Sequence, residues 1–144
     1  MTPVKIVRVA SKLKTQLQSV GPNAEQLLVG KFLEWKSSPE DHYWFSKDVR
    51  GDDGYLFHVH LVPSNDPAAR AKWDRLWSVH PKRPWSRRSD RYLLYADAGV
   101  THGCLLIALI EDPGAHTLWA PAQRALREQF EIVAENFCVF GVIP

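Results

Sequence analysis

The chain has 144 residues, enough for one compact domain with a single core and too few for a barrel enzyme or a two-domain dinucleotide-binding protein. Hydrophobic residues make up 45% and charged residues 24%, which excludes disordered and coiled-coil readings. Net charge is +2 but unevenly spread: residues 1–69 carry 8 basic and 8 acidic groups, 70–91 carry 8 and 2, and 92–144 carry 2 and 6. A local basic block on a near-neutral chain points to a docking patch for a polyanion, or to a solvated loop.

The longest apolar run, Cys104 to Ile110, is far short of a membrane span. Met1 to Lys14 alternates apolar and basic residues without the apolar stretch of a secretory signal. Cys104 and Cys138 cannot form a disulfide framework or a four-ligand zinc site, and read as reduced core thiols. A cytoplasmic protein with no membrane partner is expected.

Val4, Ile6, Val7 and Val9 are β-branched and partly alternate with Lys5 and Arg8, which predicts a first strand at a sheet edge. Gly21-Pro22-Asn23 is a turn, with Asn23 placed to cap a helix over Ala24 to Lys36. Its Leu27, Leu28, Phe32 and Trp35 fall at helical spacing, and Pro39 stops it. Residues 40–54 are aromatic but irregular and end in the turn Arg50-Gly51-Asp52-Asp53-Gly54. Tyr55 to Val62 is a second strand, with Leu56, His58 and His60 on one face and Tyr55, Phe57, Val59 and Leu61 on the other.

After the break at Pro63 to Pro67, Ala69, Trp73, Leu76 and Trp77 predict a short amphipathic helix at about 67–78. Pro81 and Pro84 exclude regular structure until Ser86. Arg91 to Asp97 and Cys104 to Ile110 are the third and fourth strands, antiparallel across a turn at Ala98-Gly99. The unbroken apolar run of the fourth implies burial on both faces. Thr117 to Phe137 is the last helix, with Trp119, Ala122, Leu126, Phe130, Val133 and Phe137 along one face and Pro121 in its first turn. The apolar tail, 139–144, suits an added strand or a partner-binding segment. The class is α+β, in a single domain over residues 1–144.

Four constellations carry possible chemistry. His58 and His60, at i and i+2 on a strand, share a face with Cβ atoms about 6.5–7 Å apart. That suits two metal ligands, an acid and base pair or a phosphate clamp; the bland alternative is one structural histidine. A metal needs a third ligand, and His80, His102 and His116 stand at no recognised spacing. The histidine-triad hydrolase pattern fails because Val62 stands where the nucleophile belongs, and a cupin lacks its glutamate after His60.

The second is the basic block, in which Arg70, Lys72, Arg75, Lys82, Arg83, Arg87, Arg88 and Arg91 interleave with Trp73, Trp77, Trp85 and Tyr92. Arginines neutralise phosphates and aromatic faces stack on unpaired bases, which favours single-stranded nucleic acid. Trp73 and Trp77, at i and i+4 on one face, read better as core, whereas Trp85 sits in a loop. Lys82, Arg83, Trp85, Arg88 and Arg91 are the candidate RNA contacts. The third is Ser86-Arg87-Arg88-Ser89-Asp90: an arginine here can stabilise charge on a scissile phosphate, and Asp90 can orient a histidine or an arginine, or cap the turn. The fourth is Tyr95 with His116, which both reach one end of the sheet if His116 is not merely a helix cap.

His58 to Leu61, then Ser86 to Tyr95 (Ser-Arg-x-x-Asp before Leu-Leu-Tyr), then Leu105 to His116, together resemble the YafO family of type II toxins. The resemblance implies a small RelE-like fold: a central, mainly antiparallel four-stranded sheet packed by helices. It implies an endoribonuclease that cleaves mRNA on the translating ribosome and is held by a cognate antitoxin. His58, His60, Arg87, Asp90, Tyr95 and His116 lie on the matching segments. The segment 66–85 is richer in Trp, Pro and Arg than the family pattern, and the tail after Phe137 looks additional.

The expected chemistry needs no metal or other cofactor. A ribose 2′-hydroxyl attacks the adjacent phosphate and leaves a 2′,3′-cyclic phosphate and a 5′-hydroxyl. His60 and His116 share the acid and base roles, Arg87 (or Arg88) stabilises the phosphorane, and Tyr95 orients the phosphate. A module that binds RNA or the ribosome without cutting is the rival reading, and a metal-dependent hydrolase built on His58 and His60 a weaker one.

Overall fold

Short apolar runs and two helical stripes build a sheet covered on both faces. The computed structural model describes residues 6–50 and 54–144. Val4 and Lys5 of the predicted first strand, and Gly51-Asp52-Asp53 of the predicted turn, lie outside the described residues. Among the described residues, five strands, β1 (Val7–Val9), β2 (Val49–Arg50), β3 (Leu56–His60), β4 (Tyr92–Asp97) and β5 (Cys104–Ile110), order as β1-β5-β4-β3-β2. β1 runs parallel to β5, and the other pairs are antiparallel. The α+β class and the mainly antiparallel sheet are as expected, with five strands instead of four. The extra strand, β2, is two residues long, too short to carry a period through a stretch that reads as irregular. β5 is an interior strand, as its unbroken apolar run requires.

One face of the sheet is covered by α1 (Ser11–Val20) and α2 (Ala24–Ser37). Leu13, Leu17, Leu28, Phe32 and Trp35 pack there on Val59, Leu61, Leu93, Tyr95 and Leu106. Burying each such side chain contributes about 1.5–3 kcal/mol. α1 adds a helix to the expected order. Asn23 occupies the cap position of α2, yet its side chain makes no capping hydrogen bond.

The other face is covered by α5 (Arg124–Phe140), through Phe130, Val133, Ala134 and Phe137 on Leu56, Leu94, Ala96, Leu105 and Ile107. The single helix expected over Thr117 to Phe137 is instead two 3₁₀ turns, Ala115–Trp119 and Pro121–Gln123, followed by α5. Pro121 is the cause. A residue before proline is driven out of the helical region, and Ala120 is extended, with φ −68° and ψ 148°. The break frees Trp119 from the α5 face and lets it lie on the sheet. At the other end α5 runs on through Phe140, and Gly141 closes it in the left-handed region. The tail therefore adds no strand; it ends beside α1, where the Ser11 N–H donates to the Pro144 carbonyl at 3.0 Å.

α3 (Pro67–Val79) follows the predicted helix, capped by Asp66, whose carboxylate accepts from the Ala69 N–H. Its Trp73 is buried and donates Nε1–H to the Tyr43 carbonyl at 2.8 Å. A 3₁₀ turn, Pro84–Ser86, lies in the proline-rich stretch, and α4 (Gly99–His102) joins β4 to β5. Cys104 is buried and Cys138 half-buried. Among the described residues, no helix is long and apolar enough to cross a membrane.

Candidate active site

The alternation of β3 puts His58 and His60 on the α5 side of the sheet with Leu56. β4 contributes Tyr92 directly opposite His60. The ring centroids of His60 and Tyr92 are 4.7 Å apart, those of His58 and Tyr92 5.0 Å, and those of His58 and Trp119 4.9 Å. α5 packs toward Leu56 and Leu105, so this end of the face is left as a cleft of about 690 Å³. His58, His60 and Tyr92 line it together with Trp85, Arg88 and Trp119.

His60 has a fixed hydrogen-bonding state. The Ser89 backbone N–H donates to its Nδ1 at 2.8 Å. An amide N–H only donates, so Nδ1 must carry a lone pair and the proton of the neutral ring sits on Nε2. Burial lowers the His60 pKa to about 4, and the nearby charges of His58 and Arg88 push the same way. The Ser89 bond also favours the neutral ring, because a protonated Nδ1 has no lone pair to offer. At neutral pH His60 is therefore an uncharged donor through Nε2–H. It does not serve as a base at that atom. Burial likewise lowers the pKa of His58.

The next residue, Asp90, organises the start of the turn at 115–119. Its Oδ1 accepts from the His116 N–H and is paired with His116 Nδ1, each at 2.7 Å, and its Oδ2 accepts from the Gly114 N–H. Gly114 adopts φ 116°, which favours glycine, and this turns its N–H toward the carboxylate. Partial burial opposes the charge on Asp90, but the hydrogen bonds from His116 and Gly114 prevail and lower its pKa. With Nδ1–H held by Asp90, neutral His116 presents the lone pair of Nε2 from an exposed ring. Ser89 and Asp90 thus hold one histidine each.

The remaining candidates divide. Trp85, Lys82, Arg83 and Arg88 are exposed. Arg91 forms a two-pronged ion pair with Glu111, Nε to Oε2 at 2.9 Å and NH2 to Oε1 at 3.3 Å, and also donates to the Val62 carbonyl. It ties β4 to its neighbours instead of standing ready for a phosphate. Arg87 has no exposed surface. Its guanidinium donates to the carbonyls of Pro81, His42 and Phe45 and lies near the rings of Trp73 and Trp77, 5.5 and 5.1 Å from their centroids. These contacts tie Arg87 to α3 and to the carbonyls of residues 42–45 at the inner wall of the cleft, whose lining includes it beside Pro84 and Arg88. Tyr95 is fully buried on the opposite face among Phe32 and Trp35, with its hydroxyl bonded to Asp48. Two residues of β-alternation do not separate Tyr95 from Tyr92, three do, so Tyr95 points away from His60 and His116.

Residues 33–138 match the family profile described as Toxin YafO, type II toxin-antitoxin system. The chain belongs to this family of type II toxins. The family brings with it a cognate antitoxin as partner. No curated protein and no solved structure matches the chain significantly. The match is wider than the segments between His58 and His116 that carry the resemblance in the sequence. It takes in the end of α2 and most of α5, and it leaves out residues from 139 on.

Two cleft residues of the toxin escaped the sequence reading. Tyr92 was visible as an aromatic within the basic block, and its pairing with His60 follows only from the β3–β4 register. Trp119 was assigned to the face of the last helix, and only the Ala120-Pro121 break takes it away. Among the described residues, no three His, Cys, Asp or Glu side chains gather as metal ligands.

Proposed function

We propose that the toxin is an endoribonuclease that cleaves mRNA on the translating ribosome, in the cytoplasm, by attack of a ribose 2′-hydroxyl on the adjacent phosphate. The observation that supports this reading is the Ser89-Asp90 pair: the Ser89 N–H fixes the cleft residue His60 as a neutral donor, and the neighbouring Asp90 holds Nδ1 of the exposed His116, on the same turn as the cleft residue Trp119. His116 takes the 2′ proton at Nε2, and Asp90 stabilises the imidazolium that forms. The O2′–P bond forms and the P–O5′ bond breaks. The 5′ oxygen leaves with a proton returned by the His116 imidazolium, so the histidine ends as it began. His60 Nε2–H donates to a nonbridging phosphate oxygen, and Arg88 supplies the positive charge that the phosphorane needs. Arg88 takes this role over from Arg87 because it is exposed and its charge reaches His60.

A second reading rests on the exposed Lys82, Arg83, Arg88 and Trp85: an RNA- or ribosome-binding module that stalls translation without cutting. Brief induction in a translating bacterial extract, followed by primer extension, separates the two. New mRNA 5′ ends that disappear in His116→Ala and persist in excess chelator support the nuclease. Arrested translation with no new ends supports the module, and ends that vanish in chelator support a metal-dependent hydrolase.

A further inference from the structure

The cleft carries two large aromatic rings that the chemistry above does not use. Trp85 is 56% exposed and Trp119 45% exposed, and both line the same cleft. An indole in water is a poor use of so large an apolar surface unless something covers it. The two arise from separate loops. Trp85 stands in the turn Pro84–Ser86, whose Pro84 is buried and anchors it. Trp119 ends the 3₁₀ turn that Asp90 caps.

Their surroundings differ. Trp119 has His58 against it at 4.9 Å and Tyr92 at 6.2 Å, so the sheet backs it and its orientation is set. No aromatic ring packs on Trp85 among the described residues, so its 56% exposed indole leaves a face open to a flat ligand. Arg88, three residues on, lines the cleft too and supplies a cation beside the rings. A ligand that suits this set has a flat aromatic part and an anion attached to it. A nucleotide of an unpaired strand is such a ligand, whereas a duplex keeps its bases stacked on one another.

We infer that Trp85 and Trp119 form a stacking clamp that holds one unpaired nucleobase in the cleft, next to the phosphate held by Arg88 and His60. This deepens the nuclease reading and rests on it for the identity of the ligand as RNA. Stacking recognises π surface, so a purine is held more tightly than a pyrimidine. The clamp is a specificity element and takes no part in proton transfer.

The test is tryptophan fluorescence of the full chain titrated with a 2′-O-methyl pentaadenylate, which cannot be cut by 2′-hydroxyl attack. The same pentamer with an abasic central position and a 2′-O-methyl pentauridylate are the comparisons. Quenching by pentaadenylate, weaker by about tenfold for the abasic strand and for Trp85→Ala, supports the clamp. Trp85→Phe should recover most of the affinity, because it keeps a ring. Trp85 is exposed, so its variants keep the fold, and they keep the inference testable if Trp119→Ala is unstable. Equal binding by wild type, Trp85→Ala and the abasic strand, with salt-dependent affinity, overturns the clamp and leaves the RNA reading standing. No binding of any strand, together with no new mRNA ends in the extract, overturns both.

Discussion

Asp90→Asn is the most informative single change, because it alters charge and hydrogen bonding with almost no change in shape. Three donors converge on the Asp90 carboxylate: the N–H groups of Gly114 and His116, and His116 Nδ1–H. An amide cannot satisfy all three. With its oxygen toward His116 it sets an NH2 against the Gly114 N–H, and with its oxygen toward Gly114 it sets the NH2 against His116. Either way one donor faces another, which costs about 1–3 kcal/mol of stability. A chain of this size then melts about 3–10 °C lower. The catalytic loss is separate. A neutral amide no longer stabilises the His116 imidazolium, and a positioned base contributes about 10²–10⁴ in rate. Cleavage of a defined mRNA in a translating extract should fall at least about 100-fold below the melting midpoint. In the double variant with His116→Ala, Asp90→Asn should add little further loss, because the carboxylate acts through that ring. Wild-type cleavage by Asp90→Asn, or losses that simply multiply in the double variant, would refute the reasoning.

Three other outcomes follow from the same structure. The lowered pKa of His60, about 4 against about 6.5 when unfolded, means that the unfolded chain binds a proton there that the native ring does not. Stability contributed by His60 is therefore full above about pH 6.5 and is lost as the pH falls toward 4; the loss is about 1–2 kcal/mol once solvent contact of the ring is allowed for. Denaturant titrations of His60→Gln should show a flatter pH dependence across this window, and an unchanged slope would contradict the assignment. Arg87→Met strands three carbonyls around α3, so it should cost about 3–5 kcal/mol and lower the melting temperature by about 10–15 °C; an inactive Arg87→Met with wild-type melting would give Arg87 a part in the chemistry. Tyr95→Phe should cost about 1–2 kcal/mol in a melt and leave cleavage by the folded protein intact, and loss of cleavage without loss of stability would place Tyr95 back in the site.

The parts of this fold that were legible in the sequence are those with a sustained period. β3 alternates through five residues, so the shared face of His58 and His60 could be read directly, and the apolar run of β5 announced its interior place. α1 was missed, although Leu13 and Leu17 stand one helical turn apart, because its other face is mostly polar and its span is short. The site was only half legible. That Asp90 can orient a histidine follows from residue type, but that the histidine is His116 follows only from the structure, which brings the start of β4 against the turn after β5. Residue type makes Arg87 and Tyr95 candidates but does not indicate depth, and both side chains are buried. Nothing local distinguishes Arg87, which is fully enclosed, from Arg88, which is exposed. The tautomer of His60 depends on an amide 29 residues away in sequence, and no spacing rule reaches that far.

The central claim is that this toxin cuts RNA through its own 2′-hydroxyl with His116 as the base. The most direct measurement is the chemistry of the new 3′ ends made by wild type and His116→Ala in a translating extract with excess chelator, read by mass spectrometry on an mRNA with a mapped cleavage position. The account predicts a 2′,3′-cyclic phosphate from wild type, none from His116→Ala, and none when that position carries a 2′-O-methyl group. A 3′-hydroxyl end, or cutting that survives the 2′-O-methyl group, would contradict it.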